Sequence, residues 1–242
     1  MEELKEKMNI GKKPVALTVL DWVCMLLLAA ALYLVLVYAP TEAVMGDVQR
    51  LFYFHAAAGW VGMLCFISAA VAAVLYLRGQ QRKWDIVQVA GIEIGLLFSF
   101  INVATGSIWA RPVWNTWWTW DVRLVTAAIT LLLFSANLIL RQGIDDPGRR
   151  ARFSAVYTII GFFSVPLSFL SIRLWRTIHQ VVVGGGDAGG EGVFAMSGEM
   201  RITFYFSLFT FTVMAVDLMW HRIRLGRLAE RVDEMKMDMD RQ

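Results

Sequence analysis

The chain has 242 residues, 57% of them hydrophobic, with a mean hydropathy of +0.54. A soluble protein of this composition would lack the polar surface to cover itself, so an integral membrane protein built of apolar helices is expected. The net charge of +3 excludes little alone, but no basic face exists apart from charges flanking the apolar runs, which argues against nucleic-acid binding.

The first residues, MEELKEKMNIGKKP, carry both signs of charge and lead into an apolar run without a small-residue cleavage site. A retained helix is predicted there, not a signal peptide. A span needs about 20 apolar residues. Six segments meet that test: 15–39, 56–77, 86–108, 124–140, 153–172 and 202–220. With an inner N-terminus, 17 of the 23 Lys and Arg residues fall on the inner side and six on the outer. The positive-inside rule then puts both termini in the cytoplasm. The expected architecture is one all-α membrane domain over 1–242, with an outer loop at 109–123 and a cytoplasmic tail at 221–242.

The connections are unequal. The inner turns 80–85 and Asp145-Asp146-Pro147-Gly148 are short and polar. The outer segments 40–55, 109–123 and 173–201 are longer, aromatic, or both. Within the last, the glycine tract 184–192 is expected to have no fixed structure. The tail from Arg222 is expected to be a solvated inner end, with a short surface helix as the alternative. Pro166 in the fifth span predicts a kink that aims the following segment inward. Glu93, inside the third span, is either a proton carrier or a partner for Gln88 or Asn102. Asp21 and Asp217 lie near inner span ends, within reach of headgroup water. No internal repeat supports an inverted-repeat transporter.

Half of the ten tryptophans lie in 109–124, at Trp109, Trp114, Trp117, Trp118 and Trp120, followed by Asp121 and Arg123. Indoles anchor helix ends at a membrane surface, but one or two per boundary suffice for that, so a binding platform is the better reading. Of the three histidines, His221 follows the last span on the inner side, where a helix-end or headgroup role is expected. His55, before the second span, and His179, after the fifth, fall on the outer side with the tryptophans. Two imidazoles from separate helix ends can clamp one haem iron. Arg50, Arg111, Arg123, Arg173 and Arg176 are nearby cations suited to carboxylates. Cys24 and Cys65 sit in apolar runs without CxxC or CxxCH, so disulfide, zinc and c-type haem attachment are unsupported. No HExxH and no G-x-x-x-x-G-K-[ST] is present, so metal-hydrolase chemistry is unsupported and ATP-driven work would belong to another subunit.

The run Trp114-Asn115-Thr116-Trp117-Trp118-Thr119-Trp120-Asp121 resembles W-G-x-x-W-x-W-D, the "WWD" signature of the haem-handling membrane proteins of cytochrome c maturation. Residues 49–60, 93–124 (with T-G-S-I-W at Thr105–Trp109) and 175–180 extend the resemblance over nearly the whole chain. In size, spans and tail the chain is most similar to the haem-delivery branch, CcmC. Two positions depart from the pattern. Asn115 replaces a glycine, which a left-handed backbone tolerates. Ala56-Ala57-Ala58-Gly59-Trp60 replaces V-P-A-A-W.

The resemblance implies a bacterial inner-membrane location and haem b held at the outer face by His55 and His179. Trp114, Trp117, Trp118, Trp120, Asp121, Arg50, Arg123 and Arg176 would make the rest of the site. Implied partners are the haem chaperone CcmE, the transporter subunits CcmA and CcmB, the small subunit CcmD and membrane lipid. No classical enzyme activity is implied, only assistance in covalent attachment of haem to the chaperone. The rivals are a b-type cytochrome subunit of a quinone oxidoreductase and a solute permease. The former usually sets its histidine pairs within helices across the bilayer; the latter would want a polar central path.

Overall fold

The computed structural model describes residues 12–179 and 196–239, so Gln180, the glycine tract and Arg241 lie outside the described residues. In hydrocarbon, each backbone N–H and C=O must be paired within its own segment, and the apolar runs accordingly fold as helices. Among the described residues, six helical spans are long and apolar enough to cross a membrane. They are α1 (Val15–Tyr33, continued by a π-helical turn at Leu34–Tyr38), α2 (Gln49–Gly79), α3 (Arg82–Trp114), α4 (Val122–Gln142), the pair α5 (Pro147–Phe162) and α6 (Ser164–Leu174), and α7 (Gly198–Met239).

Helices α2 and α3 are the central hairpin, joined at Gln80, whose φ of 49° closes α2 in a left-handed turn. They pack closely because α3 presents glycines. A Cβ at Gly91 would come within 2.8 Å of the Cys65 carbonyl, and one at Gly95 within 2.7 Å of the Phe66 ring. Around this hairpin, α7 packs on one flank together with α1, and α4 to α6 pack on the other. Phe66 of α2 stacks on Phe134 of α4 at 3.9 Å between centroids. A buried polar cluster joins α3, α4 and α5: the Gln88 amide donates to Ser154 (2.8 Å) and Thr158 (3.0 Å), and Asn137 donates to Thr158 (2.8 Å). Near the α2–α3 turn, Arg141 forks onto Asp85 at 2.6 and 3.0 Å.

Several expectations change in physical detail. The helices outrun the hydropathy windows, because helical hydrogen bonding does not stop where the apolar run does. His55 therefore lies inside the start of α2, not ahead of it, and Trp109 and Trp114 belong to α3. At 33 residues α3 is roughly 50 Å long, well beyond a hydrocarbon layer of about 30 Å. Near Pro166 the regular α-helical hydrogen bonding is interrupted at one residue, Phe163, between α5 and α6, while the Phe163 backbone stays in the right-handed helical region. The tail is a solvated end, exposed throughout 231–239, but it is helical and not a separate element. It continues α7 without interruption to Met239, and Arg82 reaches Glu230 at 3.3 Å. Glu93 faces neither Gln88 nor Asn102: Arg222 of α7 grips both its carboxylate oxygens. Asp217 is buried, and His221 bonds Asp21 at 2.8 Å.

Candidate functional site

At the end of the bundle away from the α2–α3 turn, α2, α3, α4, α6, α7 and the 115–121 segment line a cavity of about 680 Å³. That is within the range of roughly 300–1,000 Å³ typical of ligand pockets. Its wall is mainly aromatic and aliphatic, with a few polar groups, among them His55, Asn102, Arg123, Arg173 and His179.

His55 reaches the cavity from the second turn of α2. Its Nδ1 lies 2.9 Å from the backbone carbonyl of Asn102, and the Asn102 side-chain amide donates back to the His55 carbonyl at 2.8 Å. A carbonyl only accepts, so Nδ1 carries the proton and Nε2 keeps its lone pair, the form that ligates metal. Gly106 provides the room: a Cβ there would stand 2.8 Å from His55 Cε1 and 3.2 Å from Nδ1.

His179 stands beyond the end of α6, where Trp175 turns extended. Its Nδ1 lies 3.3 Å from Asp121 Oδ2, the oxygen that also accepts the Thr177 hydroxyl, and Thr177 Oγ1 accepts the His179 N–H at 3.2 Å. The other Asp121 oxygen caps α4 by accepting the Leu124 N–H at 3.0 Å. One carboxylate thus starts a helix and orients an imidazole. Burial disfavours ionisation of Asp121, but hydrogen bonds from Thr177 and Leu124 and the nearby His179 outweigh it and hold the carboxyl below its ordinary 3.8. His179 is held below its ordinary 6.5, first by burial and further by the Arg123 charge, against the pull of Asp121. It is therefore neutral at physiological pH.

The tryptophans divide. Trp109 and Trp114 meet edge to face at 5.0 Å, and Trp114 lies edge-on to His179 at 5.1 Å. These two, with Trp117 and Trp118, line the cavity. Trp120 does not: it packs on Trp118 at 5.8 Å and is 82% exposed. Asn115 closes α3 with a φ of 55°, the left-handed turn its side chain tolerates, and Arg111 secures it through the Asn115 carbonyl at 2.7 Å.

The cations divide too. Arg123 lines the cavity, donates to the Ser168 carbonyl and lies 5.0 Å from the Phe169 ring. Arg173 also lines it, whereas Arg176 is not among the described wall residues. Arg50 is turned elsewhere, donating to the carbonyls of Val35 and Ala39 at the end of α1, where a cation offsets the negative end of the helix. Asp121 and Arg123 serve different partners and form no close ion pair.

Sequence reasoning missed Asn102, Gly106 and Thr177 as supports, and the aromatic wall from α7 (Phe204, Tyr205, Phe209). Helical spacing carried one signal: Asn102 and Gly106 are four apart, on one face of α3. The residues present fit a haem: two imidazoles with Nε2 available, flat aromatic walls and a guanidinium. The Trp109 indole N–H adds a buried donor with no acceptor among the described residues.

The family model of heme exporter protein C, CcmC, matches residues 7–238. This chain belongs to the CcmC family. The heme exporter protein C of Bradyrhizobium diazoefficiens is 30% identical over 225 residues, covering 90% of this chain and 82% of its own. That of Escherichia coli K12 is 30% identical over 187 residues, covering 77% and 74%. A putative ccmC-like mitochondrial protein of Marchantia polymorpha is 29% identical, covering 65% and 66%. CcmC membership spans α1 to α7, and thus every element that lines the cavity.

Proposed function

We propose that this CcmC-family chain takes up haem b between His55 and His179 at the outer face of the bacterial inner membrane and hands it to the chaperone CcmE. The coarser part, haem delivery in cytochrome c maturation, rests on the family and on the names of its relatives. The finer part rests on one observation: two imidazoles face one aromatic cavity, each with Nδ1 held by an acceptor and Nε2 left to bind.

Iron in the cargo supplies the coordination chemistry; the protein supplies the rest. Asn102 and Asp121 fix the tautomers, Trp109, Trp114, Trp117 and Trp118 exclude water, and Arg123 with Arg173 offers positive charge to propionates. Release to the chaperone requires one imidazole to let go. His179, outside any helix and held by Asp121 and Thr177, is the one placed to do so. Trp120 belongs to the chaperone-facing surface, as does the outer edge of Trp117, which is 58% exposed. The excess of Lys and Arg at the opposite end supports a cytoplasmic placement of both termini. CcmA, CcmB and CcmD complete the assembly, with ATP hydrolysis outside this chain.

Transfer of haem from purified wild type and Trp120→Ala to purified CcmE tests the division of labour. The expected result is an unchanged haem spectrum on the variant and at least about tenfold slower covalent labelling of the chaperone, the scale of a central interface aromatic. Transfer at the wild-type rate would remove Trp120 from the docking surface.

A further inference from the structure

At the end of the bundle opposite the cavity, α1 and α7 meet at Asp21, Asp217 and His221. Asp217 and His221 are one helical turn apart, so both project toward the same neighbour. His221 Nε2 lies 2.8 Å from Asp21 Oδ1 and 3.8 Å from Asp217 Oδ1, and the three ligand atoms all fall within 4.8 Å of one another. Lys13 occupies the other Asp21 oxygen, leaving Oδ1 turned to the cluster. Asp217 is only 8% exposed, and its Oδ1 is buried without a hydrogen-bond partner. A carboxylate oxygen left bare in an apolar layer is costly. The single His221 nitrogen, already close to Asp21, does not satisfy it.

We propose that Asp21 Oδ1, Asp217 Oδ1 and His221 Nε2 form a binding site for a divalent transition-metal cation of the Zn²⁺ type. One imidazole and two carboxylates are a donor set such ions accept, with water in the remaining position, whereas Mg²⁺ and Ca²⁺ favour oxygen alone. The ion neutralises the orphaned oxygen and ties α1 to α7. That tie has consequence because α1 buries only Leu17 and Ala31 along its α-helical length. The site shares no residue with the haem cavity, so it acts on helix assembly and not on cargo.

The test is calorimetric titration of full-length, chelator-treated protein in detergent with Zn²⁺ alone, alongside Asp217→Asn and His221→Ala. The expected result is one Zn²⁺ per chain, a raised thermal midpoint, and affinity at least about tenfold weaker in each variant, with no comparable response to Mg²⁺. Absorption spectroscopy at the zinc edge of the loaded wild type adds a measurement independent of variant folding; one imidazole among oxygens is expected. No uptake, uptake unchanged in both variants, or a two-imidazole shell (which would place the ion at His55 and His179) overturns the site.

Discussion

Asp121 concentrates more of the site than any other side chain. Its two oxygens cap α4 and hold Thr177 and His179, so substitutions can separate the tasks. Asp121→Asn keeps a good cap but loses the negative charge opposite the imidazole. Haem affinity is expected to fall about 10- to 100-fold with little change in thermal midpoint. Asp121→Ala loses the cap as well and costs about 1 kcal/mol further in stability. Equal midpoints for the two variants would refute the capping role. The pH dependence has a definite sign. His179 titrates below 6.5 in the native state, so under 6.5 the unfolded chain binds more protons than the folded one. Its contribution to stability is complete above 6.5 and declines as pH falls through that value. Haem ligation is expected to hold unchanged down to pH 6.5 and weaken only below; a spectral transition centred above 6.5 would contradict the buried, neutral imidazole.

Among the elements, α6 leads into the extended segment that carries His179. Pro166 lacks the N–H that would bond the Phe162 carbonyl, and the regular helical hydrogen bonding is interrupted at Phe163. Pro166→Ala is expected to favour a continuous α5–α6 helix, displace the segment carrying His179, and lower haem content several-fold while membrane insertion is retained. Haem content equal to wild type would show that the break does not position the ligand. The spans themselves were legible, because bilayer thickness imposes a length that hydropathy records directly. Their ends were not. Gln49 and Arg50 break the apolar run yet lie in the first turn of α2, and Trp109 and Trp114 read as loop although α3 carries them. Of the candidate site, the two histidines and the cavity-lining tryptophans were legible as residue types on one side. Their supports were not, because Asn102 and Thr177 act through pairs 47 and 56 residues apart, which no local pattern encodes. Arg50 could not be separated from Arg123 by sequence, since only packing decides which cation caps a helix and which lines a cavity.

At the scale of the whole molecule, α7 links the two ends of the bundle. Its first half supplies the aromatic wall of the cavity, and its second half carries Arg222 to Glu93 and His221 to Asp21. At the end away from the cavity Glu93 and Asp21 are thus partnered while Asp217 Oδ1 is left bare, and the cavity at the other end is lined by imidazoles and guanidiniums. The central claim is that His55 and His179 together bind one haem iron. An absorption spectrum of detergent-purified protein, before and after dithionite, tests it for wild type, His55→Ala, His179→Ala and His221→Ala. A low-spin, six-coordinate b-type spectrum is expected in wild type and His221→Ala, and its loss or conversion in both His55→Ala and His179→Ala. Equal haem retention and identical spectra in all four proteins would contradict the account.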